Sequence, residues 1–100
     1  MLTQIEGINH LIYLKKLDLG KNQIRVIENL RNLEYLTQLS LEDNYIESVR
    51  GVLNLRNLME LYVANNLLSD KKDISVLRDL PKLIILDMSG NPLCSEFGTR

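Results

Sequence analysis

The chain has 100 residues, enough for one domain, and 45% of them are hydrophobic, which argues against wholesale disorder. Twelve basic and thirteen acidic residues leave a formal net charge of −1, so the composition does not favour a nucleic-acid partner. Cys94 is the only cysteine, which excludes an intrachain disulfide, and no apolar run approaches the roughly 20 residues that span a bilayer, so we expect no membrane partner.

The chain opens with an apolar residue at every third position. Leu2, Ile5, Ile8 and Leu11 stand 22 residues before Ile24, Ile27, Leu30 and Leu33. The first segment therefore predicts a partial repeat whose strand half is missing. Because such an edge leaves apolar surface uncapped, we expect self-association of copies through it.

A six-position pattern begins at Leu14 and returns three times. Its first copy is Leu14-x-x-Leu17-x-Leu19-x-x-Asn22-x-Ile24, and the later copies begin at Leu36, Leu58 and Leu83. The first two spacings are 22 residues and the third is 25. Internal repeats of this length are typical of solenoids, in which each repeat buries its apolar face against its neighbours.

Each half of the repeat predicts its own backbone structure. The Leu-x-Leu core alternates with polar residues, which indicates a short strand with one buried face. An asparagine follows each strand, where its side-chain amide can replace backbone hydrogen bonds lost at the turn. We expect these asparagines to form an internal ladder of Asn22, Asn44, Asn66 and Asn91.

The return segments between strands carry apolar residues with a period of three. This period favours tight 3₁₀ turns over regular α-helix and predicts a thin convex side. The three extra residues of the longer repeat fall within Ser69–Asp73, which we expect to be a charged surface loop before a true helical turn. Residues 95–100 lack periodicity, so we predict a repeat domain over residues 1–94 (a partial repeat, three repeats and a terminal half repeat) and a frayed tail.

The pattern L-x-x-L-x-L-x-x-N-x-I-x-x-I resembles the intracellular 22-residue leucine-rich repeat subfamily, of the type of the leucine-rich regulatory subunit of protein phosphatase 1. The stretch from Leu83 to Leu93 resembles the last repeats of several ciliary members. The resemblance implies a right-handed α/β solenoid with short parallel strands on the concave side and 3₁₀ or short helical turns on the convex side. It also implies a protein-binding role and a cytoplasmic or ciliary location. The missing first strand, and the missing aromatic-Arg pair after Asn91-Pro92, predict that the chain is part of a longer surface.

Polar residues beside the buried leucines should stand in columns on the concave sheet. The predicted partner-binding residues are Lys16, Asp18, Gln38, Ser40, Glu42, Asp43, Glu60, Tyr62 and Asp87. Tyr62 beside carboxylates suits the centre of a site for a basic or mixed protein partner. The alternative is that these are simply solvated positions. Tyr13 and Tyr35, 22 residues apart, should stack as neighbours with a structural role.

The chain offers little for catalysis or cofactor binding. His10 is the only histidine and should point to solvent, and Cys94 has no histidine near it in sequence. One Cys and one His cannot hold zinc unaided, the aspartates lack calcium-loop spacing, and the glycines form no phosphate-binding cluster. We therefore expect no enzyme, no cofactor and no metal.

Two function classes remain. The first is a scaffold or regulatory subunit that binds another protein through the concave sheet. The second is a structural segment of a larger repeat protein without a partner of its own. A further alternative, within the first class, is a role like that of the phosphatase regulatory subunit.

Overall fold

The computed structural model describes residues 1–94, and four short strands form its one sheet. The strands are β1 (Lys16–Asp18), β2 (Gln38–Ser40), β3 (Glu60–Tyr62) and β4 (Ile85–Asp87). They are parallel and lie in the order β1-β2-β3-β4, so each strand pairs with the next one along the chain. This order is that of a solenoid, as the repeat predicts. The predicted frayed tail, residues 95–100, lies outside the described residues.

The apolar positions of the repeat lie in register and build the core. Leu17 pairs with Leu39, Leu39 with Leu61, and Leu61 with Leu86, so the longer third repeat is absorbed without a register shift. Leu39 and Leu61 are fully buried between the sheet and the return segments. The buried residues form one continuous cluster from Ile5 to Leu93.

The return segments are tight, as their period predicts. The second contains a 3₁₀ turn, Arg50–Val52, and the third contains α1 (Lys71–Ile74) followed by a 3₁₀ helix, Ser75–Asp79. A Cβ at Gly51 would collide with the backbone carbonyl of Ile27, so glycine allows the second and first segments to pack closely. Asp70 caps α1 by accepting a hydrogen bond from the Lys72 amide at 2.8 Å.

The prediction of a surface loop over Ser69–Asp73 is wrong from Lys71 onwards, where α1 begins, and Asp73 does not lie at the surface. Asp73 is buried, and its carboxylate accepts hydrogen bonds from the Ser48 hydroxyl (2.8 Å), the Val49 amide (2.7 Å) and Arg50 Nε (2.9 Å). The inserted residues allow α1 to begin at Lys71, which turns Asp73 toward donors of the preceding repeat. Ser69, Asp70, Lys71 and Lys72 remain exposed, while Asp73 links the third return segment to the preceding repeat.

The two edges of the stack expose apolar residues. Leu86 was expected in the core, yet it is 37% exposed, because the described part of the chain provides no further strand to cover β4. At the first edge Leu2 and Leu11 are exposed while Ile5 is buried. No helix among residues 1–94 is long and apolar enough to cross a membrane.

Candidate functional site, the polar face of the sheet

Strand pairing brings the predicted polar positions together on one surface. Three columns run across the sheet, and we call them the sheet face: Lys16, Gln38, Glu60 and Ile85; Asp18, Ser40, Tyr62 and Asp87; Gly20, Glu42, Ala64 and Ser89. The first two columns are residue pairs of the strands themselves, and the third continues just past the strand ends. Because the strands are parallel and in register, equivalent positions of successive repeats must lie side by side, with one residue per repeat in each column.

Tyr62 lies on the third of the four strands, at the centre of the carboxylates of the sheet face. Its hydroxyl donates a hydrogen bond of 2.6 Å to Glu60 Oε1, and both side chains are half-buried. This hydrogen bond, followed by desolvation and the charges of Glu60, Asp87 and Glu42, raises the pKa of Tyr62 above its ordinary value. The pair presents an aromatic ring held in place by a neighbouring carboxylate.

Asp18 and Asp87 bind their own backbone two residues on. Asp18 accepts from the Gly20 amide at 3.0 Å, and Asp87 accepts from the Ser89 amide at 3.0 Å and the Ser89 hydroxyl at 2.8 Å. The backbone and side-chain bonds from Ser89 lower the pKa of Asp87 despite an opposing effect of desolvation. Both aspartates therefore shape the strand ends while their side chains remain exposed at the surface.

Among the carboxylates of the sheet face, Glu42 is the one that lacks, within residues 1–94, a hydrogen-bond donor for a buried oxygen. Its Oε1 atom is buried and has no hydrogen-bond partner among the described residues. In its column it stands between Gly20 and Ala64, and a Cβ at Gly20 would lie 3.0 Å from Oε1. Both neighbours in the column are small, and we call the position of Glu42 between Gly20 and Ala64 the notch. The small residues at 20 and 64 are the sequence signal that could have identified it.

A fourth column lies beside the turn, and the backbone conformation there explains most of its residue types. Lys21, Asp43, Asn65 and Gly90 all have positive φ, at 59°, 60°, 55° and 75°. Asp, Asn and Gly adopt the left-handed region more readily than other residues, which accounts for three of these four positions. Asp43 was predicted as a partner-binding residue, but its backbone conformation already explains why an aspartate stands there.

Ser40 corrects the predicted binding set in one respect. It was expected on the exposed surface, yet it is only 8% exposed, because Asp18 and Tyr62 flank this small residue in the neighbouring strands. Lys16 is exposed and Gln38 is half-buried, so both remain accessible on the surface. The accessible polar residues of the sheet face are therefore Lys16, Asp18, Gln38, Glu42, Glu60, Tyr62, Asp87 and Ser89.

The predicted asparagines form a ladder inside the turn. Asn44 Nδ2 donates to the backbone oxygens of Leu41 and of Leu19 in the preceding repeat, while Asn44 Oδ1 accepts from the Ile24 amide. Asn66 and Asn91 repeat this arrangement, and Asn22 accepts from the Leu2 amide at the first edge. Their role is structural, because each amide joins two consecutive repeats.

The remaining reactive side chains lie apart from the sheet face. His10 is exposed, as predicted, and Cys94 is half-buried with its Sγ atom donating to the Met88 carbonyl at 3.1 Å. The rings of Tyr13 and Tyr35 stack with their centroids 5.6 Å apart, which confirms the predicted contact between these two side chains. Among residues 1–94 no group of three or more His, Cys, Asp or Glu could hold a metal ion.

No protein-family model matches the chain, and no curated protein matches it either. Several solved structures do. Internalin InlF of Listeria monocytogenes is 32% identical with a TM-score of 0.77, over 84% of this chain and 24% of the internalin chain. Internalin C2 of the same species is 34% identical with a TM-score of 0.77, over 85% of this chain and 36% of its own.

A third structure is the SNF/U2A′ complex of Drosophila melanogaster. The match covers 94% of this chain and 56% of the chain in that complex, with a TM-score of 0.84 and 28% identity. A leucine-rich repeat protein of Leptospira interrogans also matches, with a TM-score of 0.71. The chain thus has the fold of an α/β leucine-rich repeat solenoid, and it spans less than two thirds of the length of each of these neighbours.

Proposed function

We propose that this leucine-rich repeat solenoid is a non-enzymatic scaffold or regulatory module that binds another protein on its sheet face. Leucine-rich repeat folds are generally protein-interaction modules, since stacked repeats create an extended surface without a deep cavity. The SNF/U2A′ complex gives a neighbour of the same fold that assembles with a protein. No nucleic-acid or membrane partner is part of the proposal.

The observation that carries the proposal is the pair formed by Tyr62 and Glu60. An aromatic side chain that is half-exposed at the centre of a polar sheet is the residue type that dominates the binding energy of protein interfaces. The 2.6 Å bond to Glu60 fixes the Tyr62 ring before a partner arrives, which lowers the entropy cost of binding.

The test is quantitative capture of partners from cell extracts on the immobilised chain. Tyr62→Ala and Glu60→Lys should each lose proteins that the unaltered chain retains, because they remove the anchor or reverse a charge of the sheet face. Glu47→Lys makes the same charge change at an exposed residue of the second return segment and should retain them. Circular dichroism of all variants should be unchanged.

Equal capture by the unaltered chain and both sheet-face variants would contradict this proposal. Loss with Glu47→Lys alone would instead place the binding surface on the convex side. Either result would remove the functional interpretation of the sheet face and leave its residues as solvated positions.

The second candidate function is that of a structural segment that stacks with further repeats. It is favoured by the apolar residues exposed at the edges, Leu11 and Ile12 at the first and Ile84 and Leu86 at the last. Self-association through the first edge belongs to this proposal. Sizing over a range of concentrations should then show oligomers that additional N-terminal repeats abolish, whereas a monomer at all concentrations would contradict it.

A finer assignment rests on sequence resemblance. The repeat pattern supports a regulatory role in the cytoplasm, like that of the phosphatase 1 subunit. Leu83–Leu93 resembles ciliary proteins such as leucine-rich repeat-containing protein 9, which supports a location in the cilium instead. Imaging of the tagged chain in ciliated cells tests the location. Confinement to another compartment would remove this assignment.

A further inference from the structure

The charged residues of the sheet face are unevenly distributed. On β2, β3, β4 and the residues that follow them, the sheet face carries Glu42, Glu60 and Asp87 and no basic residue, while β1 carries one basic and one acidic residue, Lys16 and Asp18. The chain as a whole is nearly neutral, with a formal net charge of −1. This local excess of negative charge favours a partner segment that is basic.

Three of the four carboxylates on the sheet face already have donors. Asp18 and Asp87 accept from amides two residues on, and Glu60 accepts from the Tyr62 hydroxyl. Glu42 differs, because its buried Oε1 atom has no donor within the described part of the chain. A buried carboxylate oxygen without a donor is unfavourable, and an incoming N–H group relieves that cost.

A rotation of the Glu42 side chain away from Gly20 would bring this buried oxygen within reach of such a group. Gly20 and Ala64 flank it in the column, so no long side chain competes for the notch from either neighbouring repeat. The amides on either side of Glu42, those of Leu41 and Asp43, donate to the carbonyls of Tyr62 (2.7 Å) and Ala64 (3.0 Å), so Glu42 lies beside the segment that carries Tyr62. A planar cation at Glu42 would therefore lie beside an aromatic ring.

We infer that the partner on the sheet face inserts an arginine side chain into the notch at Glu42, between Gly20 and Ala64. A guanidinium can bind a carboxylate with two parallel N–H donors and can stack on an aromatic ring, whereas a lysine ammonium offers only a point charge. The rotatable Glu42 carboxylate presents both oxygens to it. This inference rests on the proposed function and specifies the chemistry of its partner.

The test uses a nine-residue peptide of alternating arginine and alanine as the probe. Its control replaces each arginine by citrulline, which keeps the shape and removes the charge. Binding to the isotope-labelled full chain is followed by NMR at an ionic strength of about 0.15 M, at which long-range attraction between exposed charges is largely screened. We expect saturable amide shifts centred on Glu42, Ala64 and Tyr62 with the arginine peptide, and none with the citrulline peptide.

Two matched variants locate the interaction. Glu42→Gln should weaken binding of the arginine peptide by about 10- to 100-fold, the value of a lost charge-assisted hydrogen bond. Glu47→Gln, on the second return segment, makes the same change outside the sheet face and should alter the dissociation constant less than about twofold, as expected of an exposed charge. Equal effects of both variants, or shifts spread evenly over all acidic residues, would overturn the inference.

The capture experiment separates failure of this inference from failure of the proposed function. If Tyr62→Ala releases the captured proteins and Glu42→Gln does not, the sheet face binds a partner without an arginine in the notch, and only the inference falls. If both variants still capture the proteins, the proposed function fails together with the inference.

Discussion

The side-chain amide of Asn44 reaches into the preceding repeat and donates a hydrogen bond to the backbone carbonyl of Leu19 at 3.0 Å. The same side chain accepts from the Ile24 amide at 2.9 Å and donates to the Leu41 carbonyl at 3.0 Å. One asparagine therefore satisfies buried backbone groups that the chain cannot pair while it turns. The stability of the stack therefore depends on these side chains as well as on the leucines.

Replacing this asparagine should destabilise the fold. Asn44→Ala leaves the Ile24 amide without its acceptor, and we expect a loss of about 1–3 kcal/mol in the free energy of unfolding. Urea denaturation followed by circular dichroism measures it. Asn32→Ala, at an exposed asparagine, is the control, and equal midpoints for the two variants would show that the ladder contributes nothing.

The leucines of the sheet should differ in importance according to their strand. Leu61→Ala, at a fully buried position, should cost about 2–5 kcal/mol. Leu86 pairs with Leu61 in register but is 37% exposed, so Leu86→Ala should cost clearly less. Thermal unfolding of both variants tests this ranking. A larger loss for Leu86→Ala would mean that the last strand is covered more completely than the structure shows.

The buried carboxylate of the third repeat should be sensitive to a conservative change. Asp73→Asn removes one of the two oxygens that accept from Ser48, Val49 and Arg50, and we expect a cost of about 1–3 kcal/mol. Asp79→Asn, at an exposed position of the same return segment, should be neutral. Chemical denaturation compares the two.

A change at Arg50 distinguishes the stability contributed by the ion pair of Asp73 from that contributed by its hydrogen bonds with Ser48 and Val49. The Arg50 side chain is 62% exposed, so Arg50→Ala should cost less than about 1 kcal/mol despite the 2.9 Å contact. If Arg50→Ala were as damaging as Asp73→Asn, the ion pair rather than the bonds from Ser48 and Val49 would be the source of stability.

The titration of Tyr62 should report its contact with Glu60. The hydrogen bond to Glu60 raises the pKa of Tyr62, so the contact stabilises the fold below the unfolded-state pKa and is lost as the pH rises through the folded-state value. Glu60→Gln should shift the tyrosinate absorbance of Tyr62 to lower pH, with Tyr62→Phe identifying its contribution. Superimposable titrations of the unaltered chain and Glu60→Gln would show that the contact is absent in solution.

Much of the fold follows from the spacing of a few residues. The interval between Leu17, Leu39 and Leu61 determines strand order and register. Leu80 and Leu77 stand three and six residues before Leu83, so the 25-residue repeat keeps its phase and Leu86 pairs with Leu61. The asparagine ladder was predictable for the same reason, since a side chain that recurs with the period must meet its own copies in the neighbouring repeats.

The features that escaped prediction depend on contacts between repeats rather than on periodicity. Burial of Asp73 requires that Ser48 and Val49 face it from the preceding repeat, which no pattern within one repeat reveals. The orphaned oxygen of Glu42 follows from the size of the residues beside it. The left-handed turn at Asp43 and Asn65 did leave a signal, since Asp, Asn and Gly share that column.

The central claim is that partners bind on the sheet face, and site-specific photo-crosslinking tests it most directly. A benzophenone amino acid at Gln38 places the reactive group on the sheet face while Tyr62 and Glu60 stay intact, and the same substitution at Gln23, an exposed glutamine outside the three columns, is the matched control. Irradiation in cell extract should give discrete protein adducts from position 38 that are absent from position 23. Adducts from position 23 alone, or the same adducts from both positions, would contradict the assignment of the sheet face as the binding surface.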